Sequence, residues 1–109
     1  MIFNTVYISG KITGIEAQAL LNFNKAEQYL TSLGFNVVNP MKLPHDHDKQ
    51  WSSYMRECIV HLMYCDKIYM LNDYEQSDGA LLELYIAQEL GLSVAYEKNP
   101  KLIFTSIKS

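Results

Sequence analysis

The sequence lacks the features that would direct a protein out of the cell or into a membrane. Residues 1–6 carry no basic side chain, and no apolar run approaches the roughly 18 residues that a membrane-spanning helix needs. There are only two cysteines, Cys58 and Cys65. Cys58 falls in a predicted helix and Cys65 at its end, and the helical rise separates their Cα atoms by roughly 10 Å, too far for a disulfide. We therefore expect no signal peptide, no membrane span, free thiols and a cytoplasmic location.

An excess of positive charge is also missing. The formal net charge is -3 and the basic residues are scattered, which argues against a nucleic acid duplex as the partner. Hydrophobic residues make up 49% of the chain, so it is not disordered. Its 109 residues, without repeats or linker-like stretches, suffice for one core, and we expect a single domain over residues 1–109.

Strand and helix patterns alternate along the chain. Predicted strands lie at 6–10, 35–38, 67–71 and 92–96, predicted helices at 13–33, 50–64 and 80–90, and a short edge strand is a candidate within 97–109. This order predicts a three-layer, flavodoxin/Rossmann-like α/β fold. Its parallel sheet would have four to five strands, with helices on both faces.

Local signals set the expected helix starts and buried faces. Residues 13–16, Thr-Gly-Ile-Glu, fit a capping box, so the first helix should begin there. Its apolar spacing predicts a buried face of Phe23, Ala26, Leu30 and Leu33. The expected apolar stripe of the second helix is Trp51, Met55, Ile59, Leu62 and Met63.

Ligands of parallel sheets bind beyond the carboxyl ends of the strands. Those ends are followed here by loops 9–14, 39–44 and 72–79. The first loop precedes a helix N-terminus and could hold a phosphate, although it matches neither a Walker loop nor G-x-G-x-x-G. Residues 77–79, Ser-Asp-Gly, are a second candidate anion site, and the simpler interpretation is a helix cap with a turn.

Glu83 is a charged residue on the apolar face of the third predicted helix. On a helical wheel it falls between Leu90 and Ala87, with Ile86 close by, inside an apolar arc. A carboxylate on a core-facing stripe is costly unless it is paired or hydrogen-bonded, which makes it a candidate functional group. The alternative is a solvent gap or a subunit interface at this position.

Two histidine patterns suggest metal or thiol chemistry. The alternating His and Asp residues of 45–48 do not form a known ligand spacing, so a solvated loop is the favoured interpretation. Cys58, His61 and Cys65 share one helical face, but zinc sites seldom draw three ligands from one helix. We expect no metal and no cofactor. A Cys58 thiolate activated by His61 is a minor alternative.

Taken together and in order, these motifs resemble the nucleoside 2-deoxyribosyltransferase superfamily. The nearest resemblance is to an uncharacterised domain-of-unknown-function branch found in phages and bacteria. The matching segments are 6–14, 39–40, 51–55, 65–71 and 77–80, followed by Glu83, Ala87, Leu90 and Gly91.

The resemblance implies a reaction at an N-glycosidic bond. Glu83 stands where the superfamily has a nucleophile that attacks C1′ of a deoxyribosyl group, and Tyr7 matches a tyrosine near it. Such covalent catalysis suits an oxocarbenium-like transition state. The substrate would be a deoxynucleoside or its 5′-monophosphate. The substrate-binding residues would be Ser9, Gly10, Lys11, Ile12, Thr13, Gly14, Ser77 and Gly79.

The sequence departs from the superfamily at one position. Cys58 stands where an aspartate usually helps to protonate the leaving base, and cysteine is a poor acid at neutral pH. Cys58, Asp66 and Trp51 are candidate accessory residues. Trp51, Tyr54 and Tyr74 could stack on a base, although packing of the second helix explains Trp51 and Tyr54 as easily. The alternative function is a nucleotide-binding or interaction module without turnover.

The third helix is apolar almost all round, which indicates contacts on more than one side. The superfamily also assembles its sites at subunit interfaces. We therefore expect a homodimer or higher homo-oligomer that binds a small-molecule nucleoside or nucleotide.

Overall fold

The computed structural model of the protein describes residues 4–107, so predictions for residues 1–3, 108 and 109 lie outside the described part. Four parallel strands stand in the order β2-β1-β3-β4. The strands are β1 (Thr5–Ser9), β2 (Asn36–Val38), β3 (Lys67–Met70) and β4 (Ser93–Tyr96), and the α-helices are α1 (Glu16–Ser32), α2 (Trp51–Met63) and α3 (Asp78–Glu89). Short 3₁₀ turns lie at Pro40–Lys42 and Tyr74–Gln76.

Helices cover both faces of the sheet, which confirms the predicted three-layer α/β fold. α1 packs on one face through Ala19, Phe23, Ala26 and Leu30. α2 and α3 pack on the other face. Side chains alternate along a strand, so Val6 and Ile8 point to the α1 face while Tyr7 points to α2 and α3.

The predicted start and buried face of α1 need correction. The helix begins at Glu16, and its N-cap residue, Ile15, makes no side-chain capping bond. The Glu16 carboxylate instead accepts the Gly14 N–H at 3.1 Å. Leu33 follows the end of the helix and is 51% exposed, so it is not part of the buried face.

The predicted stripe of α2 is also partly wrong. Its buried face consists of Met55, Cys58 and Leu62, whereas Trp51 and Met63 are 53% and 60% exposed. Trp51 lies in the first turn, and Met63 is rotated about 100° from Leu62. The covered face is therefore narrower than the apolar pattern.

The candidate edge strand of the tail is reduced to a single bridge. Val94 and Thr105 form an isolated antiparallel pair through two backbone hydrogen bonds. Leu102 and Phe104 cover the α1 face beside it. Within residues 4–107, none of the helices combines the length and the apolar character required to span a bilayer.

Candidate active site

The strand order places a crevice at the carboxyl ends of β1 and β3. From β1 the chain crosses to β2 on one side, and later strands continue from β3 on the other side. Such a topological switch point is where ligands bind in open α/β sheets. A cavity of about 830 Å³ lies at this edge, lined by β1 and its following loop, Pro40, α2 and the start of α3.

Most of the predicted site residues line this cavity. They are Tyr7, Ser9, Gly10, Lys11, Ile12, Thr13, Trp51, Cys58, Ser77, Gly79 and Glu83. Two predicted residues, Gly14 and Asp66, are not among its lining residues.

Glu83 is buried because α3 presents small residues on either side of it. Ala80, Glu83 and Ala87 follow one another at helical spacing and form the buried face of the helix. The Glu83 side chain is 5% exposed, while Leu90, which was expected to flank it, is 56% exposed. The two alanines let α3 approach the sheet, so the carboxylate reaches β1.

Two hydroxyl groups of β1 hold this carboxylate. Tyr7 Oη donates to Glu83 Oε2 at 2.6 Å, in agreement with the proximity that the resemblance implies, and Ser9 Oγ donates to Oε1 at 2.7 Å. Tyr7 and Ser9 are two positions apart on one strand, so both point toward α3. The lengths are those of charge-assisted hydrogen bonds. The Ser9 hydroxyl was expected to face a ligand and is instead bonded to Glu83.

Burial and hydrogen bonding act in opposite directions on Glu83. Loss of hydration raises its pKa from 4.5 to about 7, although the bonds from Tyr7 and Ser9 lower it. The pKa of Tyr7 lies well above 10, because burial and then the nearby Glu83 charge disfavour the phenolate. Tyr7 is thus a hydrogen-bond donor, and Glu83 changes its charge near neutral pH.

Cys58 stands at the same cavity as a neutral thiol. Burial is the main cause that raises its pKa to about 12, and the Glu83 charge adds to it. The thiol lies beside the hydroxyls of Tyr7 and Tyr54, whose pKa is also raised by burial. The minor alternative of a Cys58 thiolate is therefore disfavoured.

The loops around the cavity are tied together. The Lys11 N–H donates to Asp73 Oδ1 at 3.0 Å, which joins the loops after β1 and β3. Gly10 is required at the turn, because a Cβ there would lie 2.8 Å from the side chain of Leu71. Ser77 caps α3 by accepting the Ala80 N–H at 3.1 Å, the simpler of its two predicted roles.

Some candidates lie away from this cavity. Asp66 accepts the N–H groups of Asn4 and Thr5 and pairs with Lys67, at the amino end of the sheet. Its proposed accessory role is therefore corrected to a structural one. Tyr74 packs against Tyr96 with ring centroids 5.5 Å apart and is not a lining residue.

Sequence reasoning missed several features of the cavity. Met55 was assigned only to packing, yet it lines the cavity and lies 3.1 Å from the Cβ position of Gly79. The Asp73 contact with the first loop joins positions 62 apart, so no local pattern could have indicated it. Tyr54 was considered for base stacking or for packing of the second helix, and its buried hydroxyl has no hydrogen-bond partner within residues 4–107.

The fold and the order of these elements define a protein of the three-layer α/β class. A solved 2-deoxyribosyltransferase from the psychrotolerant bacterium Bacillus psychrosaccharolyticus superposes with a TM-score of 0.67 and 23% identity. The match covers 91% of this chain and 76% of that chain, and at this identity it shows the fold alone.

Residues 4–96 match a family described as a domain of unknown function (DUF4406), and the chain belongs to that family. No curated protein matches it.

Proposed function

We propose that the protein cleaves or exchanges the N-glycosidic bond of a deoxynucleoside or its 5′-monophosphate, with Glu83 as nucleophile. The observation that carries this proposal is a single buried carboxylate at the cavity, held at both oxygens by Tyr7 and Ser9. Its pKa of about 7 leaves a substantial ionised fraction at neutral pH. We place this activity in a single cytoplasmic domain.

The proposed reaction has two steps at C1′ of the sugar. A Glu83 oxygen forms a bond to C1′ while the bond from C1′ to the base nitrogen breaks, and the base leaves with the electron pair. A second base or water then attacks C1′, gives its proton to the departed base or to solvent, and releases the carboxylate, so the configuration is retained overall. Tyr7 and Ser9 would orient the carboxylate in both steps.

Protonation of the leaving base is the step for which the cavity offers no effective buried acid within the described part of the chain. Burial raises the pKa of the Cys58 thiol and of the Tyr54 hydroxyl, so neither group is an effective acid at neutral pH. Glu16 and Asp78, two further carboxylates lining the cavity, are exposed at the starts of α1 and α3. Bases that leave without prior protonation should therefore react fastest.

The 5′ end of the ligand would lie toward Ser77 and the first loop. The Lys11 amide is already bonded to Asp73, so a phosphate would rely on the Lys11 ammonium and the first turn of α3. We expect deoxynucleoside monophosphates to bind more tightly than the nucleosides in calorimetric titrations. Equal or tighter binding of the nucleosides would contradict this expectation.

The alternative is a nucleotide-binding module without turnover on the same fold. The observation that favours it is the neutral Cys58 thiol where a carboxylic acid is expected. Position 58 therefore discriminates between the two functions. An aspartate there would lie beside Glu83, and repulsion between the two carboxylates would keep it protonated and able to donate.

The test is release of free base from a panel of deoxynucleosides and monophosphates. Wild type should release base, Glu83→Gln should release none while still binding ligand, and Glu89→Gln, on the same helix, should match wild type. Cys58→Asp should release base faster than wild type. Equal rates for wild type and Glu83→Gln would exclude Glu83 as nucleophile. Turnover by Cys58→Asp alone would favour the binding module.

A further inference from the structure

A second cluster of chemistry-bearing side chains lies beside the cavity. His45 and His47 belong to the loop between the 3₁₀ turn at Pro40–Lys42 and α2, and the fold brings both against Glu57 of α2. One ligand atom from each residue lies within 4.8 Å of the others. The sequence favoured a solvated loop because the alternating residues 45–48 do not form a known ligand spacing. Glu57 supplies the third donor.

The distances match those within a tetrahedral metal site. His45 Nδ1 lies 3.3 Å from His47 Nε2 and 3.4 Å from Glu57 Oε1. Zinc bonds of about 2.0–2.1 Å in a tetrahedron place neighbouring ligand atoms about 3.4 Å apart. Two edges of the coordination tetrahedron are thus already formed, and only the pair His47–Glu57 has to close.

His45 is oriented as a metal ligand would be. Its Nε2 lies 2.7 Å from the Pro40 carbonyl oxygen, which can only accept, so Nε2 carries the proton. In the neutral ring Nδ1 is then unprotonated, and it faces His47 and Glu57. A backbone carbonyl on the distal nitrogen is the usual support for a ligating histidine. The ring is further fixed by stacking on Tyr54, at 4.4 Å between centroids and 12° between planes.

His47 is less well prepared. Its Nδ1 accepts the Lys49 N–H at 3.0 Å, so its Nε2 carries the proton and points at His45. Metal binding would require the other tautomer and the loss of the Lys49 bond. The cost is two hydrogen bonds, the one from Lys49 and the one that His47 Nε2–H donates to His45 Nδ1, while the His45 backbone N–H already holds Glu57 Oε1 in place at 3.0 Å.

We propose that His45, His47 and Glu57 bind a divalent transition-metal ion, with Zn²⁺ as the preferred occupant and a water in the fourth position. Two imidazoles and one carboxylate suit zinc, whereas magnesium and calcium prefer oxygen ligands. Lys49 and Trp51 line the main cavity next to this loop. A bound ion would therefore attach the loop to α2 and fix one wall of the cavity.

The test uses protein without a histidine tag and does not rely on activity. Calorimetry with Zn²⁺ should give one ion per chain, and Co²⁺ should produce the visible absorption of a tetrahedral nitrogen and oxygen site. His47→Ala and Glu57→Gln should each weaken Zn²⁺ binding at least tenfold. His61→Ala removes the third histidine of the chain, and Asp46→Asn removes an exposed neighbouring carboxylate, so both should bind as wild type does.

Thermal unfolding provides a second readout. Zn²⁺ should raise the Tm of wild type by several degrees and leave that of Glu57→Gln unchanged. The proposal is overturned if wild type binds no ion, if Glu57→Gln and His47→Ala bind as tightly as wild type, or if Co²⁺ gives a thiolate charge-transfer band, which would indicate Cys58 or Cys65. None of these outcomes bears on Glu83, so the two proposals fail separately.

Discussion

At the scale of single residues, Glu83 combines a stability cost with a candidate chemical role. Its carboxylate is buried without a cationic partner in its hydrogen bonds, and two hydroxyl donors compensate only part of the lost hydration. A structural role alone would be served better by an apolar side chain. The position therefore has the energetic signature of a functional site.

Removal of the Tyr7 hydroxyl should change the ionisation of Glu83. In Tyr7→Phe the carboxylate loses its 2.6 Å donor, so its pKa should rise above the present value of about 7. Base release depends on the ionised form and should fall at least about tenfold at pH 7. The acid limb of the kcat/KM profile should move to higher pH. Tyr85→Phe, on the exposed side of α3, is the control, and an unmoved acid limb would contradict the assignment.

The same carboxylate should make stability depend on pH. Between about pH 4.5 and 7 the unfolded chain has lost the proton that folded Glu83 retains, so stability falls as pH rises through this window and is level above it. The free energy of unfolding falls by about 3 kcal/mol in total across this window. Glu83→Gln should remove this fall, since the amide can accept from Ser9 and donate to Tyr7.

Urea unfolding at pH 5 and pH 8 provides the measurement. The free energy of unfolding of Glu83→Gln should exceed that of wild type by up to about 3 kcal/mol at pH 8 and by much less at pH 5. Asp46→Asn, which removes an exposed carboxylate, should follow wild type at both pH values. If the advantage of Glu83→Gln is the same at pH 5 and pH 8, the raised pKa is refuted.

At the scale of elements, hydrophobic periodicity predicted the existence and type of the helices and strands more reliably than their boundaries. The alternation of strands and helices is correct throughout, because turn residues separate strongly patterned segments. The start of α1 was wrong because Glu16 bonds to Gly14 while no side chain caps the helix. The stripe of α2 was wrong at Trp51 and Met63, since periodicity cannot show how much of an apolar face the neighbours cover.

The turn after β1 depends on a residue without a side chain. A Cβ at Gly10 would lie 2.8 Å from Leu71, a contact that folded proteins do not tolerate. Gly10→Ala should therefore force β1 and β3 apart at the cavity and cost about 1–3 kcal/mol of stability. Chemical denaturation measures the loss. Gly14→Ala serves as a comparison, because nothing lies within 4 Å of its Cβ position and its cost would come from a positive φ alone. In a double-mutant cycle, Leu71→Gly, which removes the Leu71 Cβ together with the rest of the side chain, should reduce the loss caused by Gly10→Ala, and an unreduced loss would contradict the contact.

At the scale of the whole molecule, α3 leaves apolar side chains uncovered. Leu81, Tyr85 and Leu90 are 42%, 62% and 56% exposed. We expect this face to bind a second copy of the chain, as the helix pattern predicts. Tyr85→Lys should therefore convert a dimer to a monomer in light scattering at micromolar concentration. Leu21→Lys, equally exposed on the opposite layer, should leave the mass unchanged, and a monomeric wild type would contradict the expectation.

The sequence could predict only those features of the candidate site that follow from the topology of the sheet. Parallel strands meet at one edge, so the loops and Glu83 were assigned to a common cavity from the sequence. The pairing of Asp73 with Lys11 and the approach of Glu57 to His45 depend on tertiary packing. Asp66 was assigned wrongly for a different reason: it directly precedes β3, so the topology already places it at the amino end of the sheet, opposite the cavity.

The most direct test of the proposed function is detection of the covalent intermediate. Wild type mixed with a reactive deoxynucleoside or monophosphate and quenched in acid should gain the mass of one deoxyribosyl group, and peptide mapping should locate the ester on Glu83. Glu83→Gln should gain no mass under the same conditions. Base release by wild type with no added mass, or with the added group on another residue, would contradict Glu83 as the nucleophile.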